Sequence, residues 1–267
     1  MSTRAIVPVK LSLTEGDFYT LWAPKWRQNG SEWQAFLGDD EAVLAFNSPA
    51  ELLCFVESGT KHDLLDHPQW DQFAGRDADR VTPAKRDEYD LIGMPEALAG
   101  RPSHRNVSTV ARNLEMASAL ADVAGAEHTT IFFASHSILR NVSRGADHYS
   151  GEQGMSEWSG VGHVIAGNWK KVIEDLDEHV RVVSSDDFDA AKVSDAKERI
   201  SSAAAASAAA AKEAEEKRKA AAEAADPYDN SPWAAAGIDP IKITAQSKSV
   251  YTPVSYTHLT LPTILRV

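Results

Sequence analysis

Residues 32–59 read EWQAFLGDDEAVLAFNSPAELLCFVESG, and the order of signals within them sets the fold class. Glu32–Leu37 and Ala42–Phe46 are rich in aromatic and aliphatic residues and predict two strands. Gly38-Asp39-Asp40 between them is tight-turn chemistry. Ser48-Pro49-Ala50-Glu51 then opens a helix: Ser caps it, Pro takes the first position, and Glu51 can reach back to complete a capping box. That helix carries Leu52, Leu53, Phe55 and Val56 to Gly59. Working outward, Ala5–Leu13 and Tyr89–Ile92 predict further strands. Val107–Val123 predicts a helix with Val110, Leu114, Ala117 and Leu120 on one face. His163–Val183 carries the strongest helical spacing, through Ile165, Trp169, Val172, Ile173, Leu176, Val180 and Val183. Strands lead and helices follow. The expected class is therefore α+β, a small antiparallel sheet with helices packed on it, rather than a wound parallel sheet.

Composition narrows the function. The chain has 267 residues and a formal net charge of −12, where a phosphate-backbone partner calls for a dense Lys/Arg surface. The opening MSTRAIVPVKL lacks a basic segment followed by a long apolar run, and no apolar stretch approaches membrane-spanning length. One cysteine, Cys54, forms no internal disulfide and suits a reducing compartment. The expected location is cytoplasmic, and the glycosylation-type patterns at Asn106 and Asn141 read as chance matches.

Four regions are expected. Residues 1–184 form a globular α+β module holding six of the seven tryptophans, enough length to bury a core. Residues 185–237 turn into an Ala/Glu/Lys-rich linker, read as a solvated helical spacer ending at Asp226-Pro227, because alanine favours helix but offers no large apolar stripe. Residues 238–253 look like the start of a second copy of the module. Pro240-Ile241-Lys242-Ile243-Thr244 repeats Pro8-Val9-Lys10-Leu11-Ser12, and Val250-Tyr251-Thr252 repeats Phe18-Tyr19-Thr20 at the same spacing. Residues 254–267 read as an artefact: Val254–Thr263, VSYTHLTLPT, matches the translation of a transposon-end sequencing adapter, so this segment is set aside from fold reasoning.

Candidate chemistry is sparse. Trp22 and Trp26 flank Ala23-Pro24-Lys25 and suggest an aromatic platform for a client or partner segment, against a turn whose indoles close one edge of the core. His62-Asp63-Leu64-Leu65-Asp66-His67 has metal-type residues, yet a five-residue separation does not stack the histidines on one helix face. The glycines of SGEQGMSEWSGVG, residues 150–162, lack the Lys-Ser/Thr pair of a phosphate loop and read as a flexible approach to the His163 helix. Ser135-His136-Ser137 has no nucleophile-elbow context. Cys54 reads as a buried thiol, and Glu174, Asp175, Asp177 and Glu178 as the polar side of a helix. No catalytic residue, metal ligand or cofactor is assigned.

AIVPVKLSLTEGDFYTLWAPKWRQNGSEWQAFLG at the start, DHPQW at 66–70 and the HYSGEQG-to-DLDEHV stretch together resemble a SatS-like actinobacterial family of protein-export chaperones. The likeness spans about residues 4–183, and LTEGDFYTLWAPKW is its most specific part. The resemblance implies a two-part protein that shields export clients through their apolar segments and works beside the export machinery. It further implies that client protection sits largely after the Ala-rich linker, in a part lacking here. The preferred reading is a non-enzymatic protein-binding module. One alternative is an enzyme using His62–His67 or the Ser135–His148 region. Another is a replication-associated, primosome-like DNA-binding protein, which a contiguous basic face near Trp22 and Trp26 would support.

Overall fold

A computed structural model describes residues 6–28, 30–39 and 41–224. The expected second copy at 238–253 and the adapter-like 254–267 lie outside the described residues.

Strand β1 (Val7–Leu13) turns tightly into the long β2 (Gly16–Gln28), which pairs antiparallel with β3 (Ser31–Phe36). Strand β4 (Val43–Ala45) follows the Gly38–Asp39 turn, where Asp39 N–H donates to Ala42 O at 3.1 Å and Leu44 N–H to Leu37 O at 2.8 Å. Strand β5 (Glu88–Asp90) lies parallel to β1, giving a four-stranded order β3-β2-β1-β5. Strand β6 (Val180–Val182) lies parallel to β4 in a two-stranded sheet. The class is α+β as expected, but the four-stranded sheet is mixed rather than antiparallel and the two-stranded one is parallel. The two parallel pairings join strands separated by helices, a long-range partnership that no hairpin signal announces.

Seven helices among the described residues accompany the sheets: α1 (Pro49–Glu57), α2 (Trp70–Ala74), α3 (Met94–Ala99), α4 (His104–Ala124), α5 (Glu127–Ser135), α6 (Gly151–His179) and α7 (Ala190–Ala224). Several 3-10 turns, including Asp63–Asp66 and Ser137–Arg144, link them. On one sheet face, Val9, Leu11, Phe18, Trp22 and Phe36 meet Val110, Leu114 and Leu120 of α4 and Ile165, Trp169 and Val172 of α6. On the other, Leu21, Ala23, Leu37 and Phe46 meet Leu52 and Leu53 of α1 with Leu64, Trp70, Phe73 and Val81. The sheet is thus a divider between two cores.

Helix α1 starts as anticipated: Ser48 Oγ accepts from Glu51 N–H at 3.2 Å. The buried Glu51 carboxylate reaches one residue further back than a standard capping box, accepting from Asn47 N–H at 3.0 Å, and also takes the Ser185 hydroxyl at 2.9 Å.

Three expectations are corrected. Helix α6 begins at Gly151, not His163, so residues 151–162 are helical rather than a flexible approach. Two of the glycines there serve close packing: a Cβ on Gly154 would come within 2.5 Å of the Tyr149 backbone carbon, and one on Gly160 within 3.1 Å of Ile138 Cδ1. At its other end α6 stops at His179, because Val180, Arg181 and Val182 leave the helix to pair with β4. The β-branched pair suits a strand.

The third correction concerns the linker. The compact unit runs to Ser207 rather than ending at Ser184. Ala196 is buried, and Val193, Ile200 and Ala203 pack around it on the core that contains α1, a stripe at helical spacing that the alanine-rich composition concealed. Arg199 grips Glu57 with both terminal nitrogens at 2.8 Å, beside Arg80 at 3.1 Å on the same carboxylate. Arg199 holds the Glu57 carboxyl below its ordinary pKa, with Arg80 adding to the effect against the opposing pull of burial.

Candidate functional site

Helix α4 lines two adjoining clefts, and the reason begins with how it is held. Ser103 caps its first turn by accepting from Asn106 N–H at 3.1 Å. Asn113, almost fully buried, donates to Asp90 O at 2.7 Å and ties the helix to the end of β5. Trp169 of α6 donates its indole N–H to Leu91 O at 2.7 Å, and Trp158 does the same to Gly100 O at 2.9 Å. These three buried polar side chains, Asn113, Trp158 and Trp169, are thereby paired across the core. Helix α5 is capped through α6: Asp175 accepts from both the backbone N–H and the hydroxyl of Thr129, at 2.8 and 2.7 Å. The acid read as solvated helix surface thus fixes the element beside the groove.

The opposite side of α4 stays uncovered. A cleft of about 670 Å³ runs between α4, α5 and the Ser137–Arg144 turn, floored by Leu114, Phe133, Leu139 and Val142. A second cleft of about 650 Å³ continues toward the sheet, where Trp22, Pro24 and Ala119 line it. Glu115, Ser118 and Phe133 line both, so the two form one groove along α4. Arg112 and Arg140 rim one end, and Lys25 and Asp122 the other. Arg112 is itself fixed, donating to Glu88 O at 2.9 Å and lying 5.3 Å over the Tyr89 ring. Burial pushes the Tyr89 phenol above its usual pKa, so it stays a neutral platform for that cation. Three serines line the groove without a histidine among the lining residues. What the arrangement offers is apolar area bounded by charges of both signs.

The two tryptophans singled out by sequence do not share a platform. Between Ala23 and Trp26 the β2–β3 register shifts by one residue, and this bulge turns Trp22 and Trp26 to opposite faces of the sheet. Pro24 sits at the bulge, where a missing N–H costs no ladder bond. Trp22 stacks on Phe36 at a ring separation of 6.0 Å and walls the groove, while its buried N–H meets no acceptor among the described residues. Trp26 lies across the sheet with its ring edge-on to His67 at 4.5 Å.

His62 and His67 are both buried, and each has an aromatic partner of its own. His62 lies 4.4 Å from the Trp70 ring. His67 accepts from Gln69 N–H through Nδ1 at 3.1 Å. Burial lowers both pKa values. Among the described residues no three His, Cys, Asp or Glu side chains gather as a metal site would need. Ser135 is exposed at the end of α5, while His148 Nε2 lies 3.1 Å from Glu157 Oε1, so its partner is a carboxylate rather than a serine nucleophile. The partly buried Cys54 thiol has a raised pKa, chiefly through burial. Sequence reasoning missed Phe133, Leu139, Val142 and Ser118. For the three apolar ones the only signal was a large side chain left over beside an amphipathic face, and Ser118 carried none.

The family model of the SatS C-terminal domain matches residues 6–177, which spans the sheet, helices α1 to α5, most of α6 and the whole groove. The chain belongs to the SatS C-terminal domain family. A crystal structure of the SatS C-terminal domain in complex with bromine is similar at 16% identity and a TM-score of 0.46, covering 67% of this chain and 94% of that one. No curated protein matches the chain. The stretch matched as a SatS C-terminal domain is the module that precedes the Ala-rich helix. Among the described residues no helix is long and apolar enough to cross a membrane.

Proposed function

We propose that this SatS-family module is a non-enzymatic, export-associated chaperone unit that acts in the cytoplasm and holds apolar segments of unfolded client proteins in the groove along α4. One observation carries the reading: a continuous cleft floored by Trp22, Leu114, Phe133, Leu139 and Val142 and rimmed by Arg112, Arg140, Lys25 and Asp122. Apolar floor supplies non-directional affinity for many sequences, and a rim of mixed charge keeps the occupied complex hydrated. A formal charge of −12 keeps loaded complexes apart by repulsion.

The test is suppression of aggregation of a chemically denatured model client by the full chain. Wild type is expected to suppress at stoichiometric amounts. Ser118→Trp plugs both clefts from an exposed position on α4 and is expected to lose most of that activity with thermal stability unchanged. Equal suppression by the plugged variant, or none by wild type, would refute the assignment.

A further inference from the structure

A second recess opens on the sheet face away from α4, at the free edge of β3. Trp26 and Trp33 are cross-strand partners on β2 and β3, so both indoles stand on one side of the sheet. Trp33 keeps 54% of its surface exposed. The Asp63–Asp66 turn is fastened beside them, with Asp63 N–H donating to Gly38 O at 3.0 Å. Together Trp26, Trp33, Asp63, Asp66 and His67 line a recess of about 400 Å³ with no lysine or arginine in its wall among the described residues. Small-ligand clefts run from roughly 300 to 1,000 Å³. His67 is buried, and its Nε2 meets no partner among the described residues. Burial keeps its ring neutral near pH 7, so it adds no positive charge that would oppose a cation.

Two indoles and two carboxylates around one recess are what a planar cation recognises. Guanidinium stacks on an indole face and forks to a carboxylate, whereas an ammonium does only the second well. We propose that this recess binds an arginine side chain presented by a partner protein, with the guanidinium against Trp26 and Trp33 and its N–H groups directed to Asp63 and Asp66. The site lies across the sheet from the α4 groove, and neither depends on the other.

Calorimetric titration of the full chain with a blocked Gly-Gly-Arg-Gly-Gly peptide tests it, beside peptides carrying citrulline or lysine at the central position. Saturable binding of the arginine peptide is expected, about tenfold weaker for the neutral citrulline isostere and several-fold weaker for lysine. Asp66→Asn should weaken arginine binding about three- to fivefold, as expected for a partly solvated charge pair. Trp33→Ala should abolish it. Both side chains are exposed, so unfolding temperatures should match wild type and separate lost binding from lost fold. Equal binding of the citrulline or lysine peptide, no saturation with any peptide, or unimpaired binding by Trp33→Ala would each overturn the proposal.

Discussion

His62 and His67 stand five positions apart, and the fold gives each its own tryptophan, Trp70 for one and Trp26 for the other. Their pKa values fall below the ordinary 6.5 because burial penalises the charged ring. The sign follows from proton counting. Below pH 6.5 the unfolded chain takes up protons on these rings while the folded chain resists, so stability is full above 6.5 and is lost as pH falls through the depressed values. Urea midpoints should therefore drop on acidification below pH 6.5, well before the carboxylates of Asp17, Asp39 and Glu57, whose pKa values are also lowered, begin to protonate. A His62→Phe, His67→Phe variant should flatten that first limb; an unchanged slope would mean other groups carry it. At this scale the sequence was legible where the chemistry is local. Ser48 and Glu51 announce their cap because both partners lie within one turn. The opposite directions of Trp22 and Trp26 were not legible, because they depend on a bulge against a partner strand, which no spacing within β2 reveals.

Helices α1 and α4 were legible as elements because one buried face repeats at helical period. The first half of α6 was not, since glycines at 154, 160 and 162 read as a loop when nothing reveals what lies against them. Gly154 and Gly162 sit in the same helix under opposite constraints. A Cβ at Gly154 would meet Tyr149 Cα at 2.6 Å and His148 O at 2.8 Å, both backbone atoms that cannot swing away. At Gly162 nothing lies within 4 Å. Gly154→Ala should cost about 1–3 kcal/mol through overpacking. Gly162→Ala should raise stability by about 0.5–1 kcal/mol, since alanine is the better helix residue. Chemical denaturation of the two variants side by side checks this, and equal effects would show that the Tyr149 turn yields freely. The groove belongs to this scale too. It is the gap left where α5 and the Ser137–Arg144 turn diverge from α4, and α5 was unannounced because its apolar residues follow no single stripe.

The strand order β3-β2-β1-β5 and the extent of the folded unit emerge only in the whole molecule. The Ala-rich helix reads uniformly along its length, yet Val193, Ala196, Ile200 and Ala203 seal the core around α1, and Arg199 completes the cluster on Glu57. A chain ending at Ser184 would uncover that apolar surface and leave Glu57 with Arg80 as its remaining cation among the described residues. Half-burying a valine and an isoleucine, with two alanines, contributes about 2–4 kcal/mol. A chain ending at Ser207 keeps every one of these contacts, together with the Ser207 hydroxyl donating to Asp79 at 2.7 Å. Urea unfolding should therefore place the Ser207 chain level with the full protein and the Ser184 chain about 2–4 kcal/mol below it. Arg199→Ala in the full chain should fall between them, because it removes the ion pair and spares the stripe. Should the Ser184 chain prove as stable as the Ser207 chain, the helix would be a spacer along its whole length, and the module would end where its composition changes.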